Sequence, residues 1–117
     1  TLRLTDNSIE HVEPLAGLVN LTELRLGSNR IENVVPLTKL DHVTVLDLNE
    51  NSISDISSLE VLPRIEVLKL AKNNLTELGS LLALPTLRIV EVWGNPLSAT
   101  ALQEVETLRK RGVEVQN

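Results

Sequence analysis

His11 and His42 are the only histidines in the 117-residue chain, and there is no cysteine to serve as nucleophile or soft metal ligand. His11 lies between Glu10 and Glu13, a set that could offer imidazole and carboxylate ligands to a divalent cation, with a hydrated turn as the plainer reading. His42 follows Asp41, but neither histidine has a nucleophile placed to use it. Asp55 and Glu77 share a column 22 residues apart, without the partners that general acid–base work would need. No glycine-rich loop is present to cradle a phosphate. The expectation is therefore a chain with no catalytic, metal-binding or cofactor-binding residues. Asn20-Leu21-Thr22 and Asn74-Leu75-Thr76 match glycosylation sequons, which the repeating pattern described next generates on its own.

The polar residue that does recur is asparagine. Asn7, Asn29, Asn51, Asn73 and Asn95 follow one another at steps of 22 residues. Apolar residues keep the same phase: Leu24 and Leu26 before Asn29, Leu46 and Leu48 before Asn51, Leu68 and Leu70 before Asn73, Val90 and Val92 before Asn95. Such a period marks stacked structural repeats. The two-residue step from Leu46 to Leu48 is that of a short strand with one buried face. The later steps, as in Ile53, Ile56, Leu59 and Leu62, are three residues long and fit extended or 3₁₀ turns. Pro14 and Pro36 share one column there, and Pro63 and Pro85 another, against regular α-helix.

One unit is thus a coil of strand, turn and return path that cannot bury its own apolar edge. Coils must stack, with their strands joined in a parallel sheet about 4.8 Å apart. The composition agrees, since 24 leucines and a single aromatic residue suit a core of similar layers rather than an irregular one. The asparagine falls where the chain leaves the strand while still buried. Its amide carries two donors and two lone pairs, enough to satisfy backbone groups within and between coils.

The pattern Leu21, Leu24, Leu26, Asn29, Ile31, repeated through Leu97, resembles the leucine-rich repeat, and the 22-residue spacing resembles the subclass of internalins and of the regulatory subunit of type 1 protein phosphatase. The resemblance implies a curved α/β solenoid with a parallel β-sheet on its concave face and 3₁₀ or irregular convex segments. Residues 1–97 are expected to form five coils, the first partial, and residues 98–117 a cap. Thr100 with Gln103 makes a capping box and Ser98 a competing N-cap, predicting a helix over about 99–111 with the apolar stripe Leu102, Val105 and Leu108. Gly112 stops it, and a last strand follows over about 113–115. At the other end Leu2, Leu4, Ile9, Val12, Leu15 and Leu18 form a layer with nothing stacked on it. More chain before Thr1 is expected to cover it, with self-association through this end as the rival.

Recognition falls to the outward strand positions. These are Thr1, Glu23, Val45, Val67 and Ile89; then Arg3, Arg25, Asp47, Lys69 and Glu91; then Thr5, Gly27, Asn49, Ala71 and Trp93. The partner-binding expectation takes Arg3, Glu23, Arg25, Val45, Asp47, Asn49, Val67, Lys69, Ile89, Glu91 and Trp93. Val45, Val67 and Ile89 make an apolar strip; Trp93 either faces the partner or packs on the cap helix. The Arg3–Arg25 end of the middle column predicts a basic end to the face.

A protein partner is expected, its identity open. The phosphatase regulator would imply an intracellular enzyme and the internalins a host-surface protein. The alternative is a structural spacer in a longer protein. A net charge of −5 argues against nucleic acid, and no apolar run is long enough to cross a bilayer. The cysteine-free ending resembles bacterial members. A cytoplasmic setting is expected, or a secreted or surface-attached one if a signal precedes Thr1.

Overall fold

The computed structural model describes residues 1–117. Six short strands run β1 (Leu2–Arg3), β2 (Glu23–Arg25), β3 (Val45–Asp47), β4 (Val67–Lys69), β5 (Ile89–Glu91) and β6 (Glu114–Gln116). They pair in chain order as one parallel sheet, in a register that aligns Glu23, Val45, Val67, Ile89 and Glu114. The return path of each of the first four coils carries a 3₁₀ helix: η1 (Glu13–Leu15), η2 (Val35–Lys39), η3 (Ser57–Val61) and η4 (Gly79–Ala83). Pro14 and Pro36 sit at the start of η1 and η2, where a missing N–H costs nothing and the ring's fixed φ fits the turn. No helix is long and apolar enough to cross a membrane.

Coil-to-coil bonding extends beyond the strands. Leu26, Leu48 and Leu70 each donate their N–H to the next coil at 2.8 Å, accepted by the carbonyls of Asp47, Lys69 and Glu91. Past the turn the direction reverses, and Arg30, Ser52 and Asn74 donate to Ile9, Ile31 and Ile53 of the coil before. Between these seams lies one core of 29 buried residues, all aliphatic. Each fully buried leucine contributes about 1.5–3 kcal/mol relative to exposure.

The asparagines close the gap between the seams. Asn51 Nδ2 donates to Leu26 O, Leu48 O and Asn49 O at 3.0, 3.1 and 3.2 Å, and its Oδ1 accepts the Ile31 N–H at 2.9 Å. Asn29 and Asn73 repeat the set. Asn95 bonds Leu70 O and Val92 O and accepts from Leu75. Asn7 is exposed and bonds only Leu4 O and Thr5 O of its own coil.

Both ends differ in detail from the sequence expectation. In the first coil Val12 is fully buried, because the second coil and η1 enclose it, while Leu18 is 43% exposed and Leu2, Leu4, Ile9 and Leu15 are half-buried. The C-terminal helix α1 spans Ala99–Lys110, and Ser98 rather than Thr100 caps it, its Oγ accepting the Ala101 N–H at 3.0 Å. The face of α1 on the core is Ala101, Val105 and Leu108, spaced i, i+4, i+7, and Leu102 stands 48% exposed. Val113 is buried ahead of β6, which begins one residue later than expected. Arg109 donates to Val115 O at 3.0 Å and Arg111 to Leu82 O at 2.7 Å, tying α1 to β6 and to η4. Glu104 of α1 lies over Gly79, where a Cβ would come within 2.8 Å of its Oε2.

Candidate functional site

The inner face of the sheet presents three columns whose side chains point away from the core. In β2 to β5 the first and second columns are half-buried, while the intervening Leu24, Leu46, Leu68 and Val90 are fully covered. Period-two alternation in three-residue strands leaves one core residue and two face residues each. Val45, Val67 and Ile89 therefore lie side by side, bounded in register by Glu23 on β2 and Glu114 on β6.

The charges of this face are paired with one another. Glu23 accepts a hydrogen bond from Arg25 Nε at 2.6 Å, and Arg3 reaches Glu23 at 4.0 Å. The bond from Arg25 holds the Glu23 carboxyl below the ordinary carboxylate range. Arg25 also comes within 3.9 Å of Asp47, and Lys69 within 3.8 Å of Glu91. The basic end expected from Arg3 and Arg25 is thus weakened. Glu23, from the neighbouring column, stands between the two guanidinium groups and offsets one of their two charges.

Asn49 crosses a whole coil. Its Nδ2 donates to Glu91 Oε2 at 2.7 Å and its Oδ1 accepts the Ala71 N–H at 2.7 Å. The bridge joins β3's coil to β5's over the top of Ala71, which is fully buried beneath it. Asp47 steadies the start of the bridge by accepting the Asn49 N–H at 3.0 Å. Gly27 shares the third column, and a Cβ there would lie 3.3 Å from Asp47 Oδ1. Trp93 ends that column, 42% exposed, with Lys72 Nζ 5.3 Å from the ring centroid. Lys72 also pairs with Glu50 at 3.9 Å.

Comparison with known proteins agrees with this geometry. A family profile described as Leucine Rich repeats (2 copies) matches residues 19–61. The chain folds as a leucine-rich-repeat solenoid. Among solved structures it is similar to an internalin (inlF) of Listeria monocytogenes, at a TM-score of 0.88 and 25% identity over 96% of this chain and 32% of that one. Internalin C2 of the same organism matches at 0.82 and 35% identity, over 86% of this chain and 45% of that one. A leucine-rich repeat protein of Leptospira interrogans shares the fold at 0.88 and 24% identity, covering 99% and 30%. The chain spans less than half the length of each, and all three proteins come from bacteria. No curated protein matches the chain. Leucine-rich repeats typically mediate protein–protein interaction.

Two features of these leucine-rich repeats escape a reading of the sequence. The residue before each ladder asparagine is left-handed: φ is 58°, 56°, 56° and 55° at Asp6, Ser28, Glu50 and Lys72, and 75° at Gly94. Only Gly94 signals this in the sequence, since the other four side chains are polar but differ in charge and length. The second feature starts the convex turns. Asn33 Oδ1 accepts the Val35 N–H at 3.0 Å and Asp55 Oδ1 the Ser57 N–H at 2.9 Å, opening η2 and η3. Hydrogen bonds from the Ser57 hydroxyl and backbone keep the Asp55 carboxyl below the ordinary range. His11 shares this column and lines an open polar cavity of about 420 Å³ with Glu10, Arg30, Glu32, Asn33 and Ser52. His42 Nδ1 donates to Val19 O at 3.1 Å on another side of the molecule. The structure brings the two histidines neither together nor beside a cluster of three metal-binding side chains.

Proposed function

We propose that this chain is a protein-binding module whose partner docks on the concave sheet face, and that it catalyses no reaction itself. The observation carrying this reading is the strip Val45, Val67 and Ile89. Three adjacent β-branched residues stand half-open on a face whose core is already closed beneath them. Apolar surface of that kind adds little to the solenoid, and desolvating it is what a partner gains. Trp93 adds a large exposed anchor at one end of the face. Glu23, Arg25, Asp47, Asn49, Lys69 and Glu91 hold the face in shape through their mutual contacts, and Arg3 offers its charge at the rim.

Affinity capture with the wild-type chain, Val67→Glu and Trp93→Ala, each checked by thermal melting, tests the proposal. A specific partner retained by the wild type and lost by both variants at unchanged melting temperature is the expected result. Full retention by both variants removes the concave face from consideration. The spacer alternative is then favoured, as the internal pairing of the face charges would allow.

A further inference from the structure

Resting on the concave-face reading, we infer that the strip of Val45, Val67 and Ile89 receives the apolar side of an amphipathic α-helix lying across the strands. Spacing is the first reason. Three side chains on adjacent strands about 4.8 Å apart span about 10 Å. Helix positions i, i+4 and i+7, at a rise of about 1.5 Å per residue, span about 10.5 Å along one side. Same-face residues of an extended segment are about 6.7 Å apart, so three of them span about 13 Å and fall out of step. Each of the three strands under the strip is only three residues long, about 10 Å, which is the width of one helix.

Charge supplies the second reason. Beside the strip, in the same register, stand Asp47, Lys69 and Glu91, alternating in sign and each partly open at 15%, 29% and 16% of its side chain. A helix whose flank carries basic, acidic and basic residues one turn apart meets all three with opposite charge. The acidic residue of the helix would fall on Lys69, the central member of the row.

Two designed peptides of about 18 residues, long enough to hold helical structure, test this by fluorescence anisotropy against the intact chain. One carries aliphatic residues at i, i+4 and i+7 with a Lys–Glu–Lys flank; the other has the same composition with apolar residues alternating. The helical peptide is expected to bind about tenfold tighter than the alternating one, and Val67→Glu to lower its affinity about tenfold. Lys69→Glu, its fold checked by circular dichroism, should shift the preference to a third peptide with a Lys–Lys–Lys flank. Equal or tighter binding of the alternating peptide, or no flank preference in either protein, overturns the helix. A protein partner that Val67→Glu abolishes while no peptide binds overturns this inference alone. A partner that Val67→Glu leaves bound overturns the concave-face reading beneath it.

Discussion

Replacing Asn51 by alanine isolates the contribution of one rung of the amide ladder. The three carbonyls that Asn51 serves all keep another donor: Leu26 O retains Asn29 Nδ2, Leu48 O retains Asn73 Nδ2, and Asn49 O retains the Ser28 N–H. Only the Ile31 N–H, which Asn51 Oδ1 accepts at 2.9 Å, is left with nothing. An orphaned buried donor costs about 1–3 kcal/mol, and three weakened acceptors add a smaller amount, so the total is about 2–4 kcal/mol. For a domain of this length that lowers the melting temperature by roughly 10 °C. Asn7→Ala is the internal control, because Asn7 is exposed and accepts no N–H from another coil, and it should cost less than about 1 kcal/mol. Urea unfolding gives the difference, and hydrogen exchange gives its location: the Ile31 amide alone among its neighbours should lose protection in Asn51→Ala. Equal destabilisation by the two substitutions, or an Ile31 amide that stays protected, refutes the argument.

Leu102→Ala should change stability by less than about 0.5 kcal/mol, whereas Val105→Ala, one turn along and buried, should cost about 2 kcal/mol by urea unfolding. Glu23 and Asp55 both have depressed pKa values in the fold, so the stability they contribute is present above the ordinary carboxylate range and lost as the pH falls through their native values. Asp55→Asn should keep stability near wild type at about pH 7 and lose less on acidification to about pH 3, since Asn33 makes the same bond without charge in the coil before. Gly94→Ala should cost about 1–3 kcal/mol by the same unfolding assay, because φ is 75° and a Cβ would sit 3.2 Å from the Lys72 backbone nitrogen. Gly79→Ala should cost less, since the group it meets is the end of the flexible Glu104 side chain.

What the period dictates, a single sequence reveals. The parallel strands, the 3₁₀ turns and the column of asparagines all follow from demands that successive coils repeat, so four to six copies of each signal accumulate. What escaped depends on one coil or on neighbouring columns. Leu102 lies three residues before Val105 and looked like part of its stripe, yet helix geometry favours the four-residue step to Ala101, whose small side chain made it inconspicuous. The charge pattern of the face misled when its columns were taken separately, since Glu23 offsets one of the two arginine charges from the column beside it. The left-handed column imposes a demand on backbone rather than side chain, and Asp6, Ser28, Glu50 and Lys72 are therefore polar but of no single type. The bridge from Asn49 to Glu91 spans 42 residues and exists once, which is beyond the reach of any periodic signal.

That bridge alters how the molecule should come apart. A stack held only by contacts between adjacent layers frays one layer at a time from its ends. Asn49 clips the third layer to the fifth, so once β6 and α1 have left, peeling the fifth layer away must break a bond anchored two layers inward. Under a pulling force applied at Asn117, β6 should therefore leave first and the fourth and fifth layers together after it, and removing the amide at residue 49 should restore a staircase.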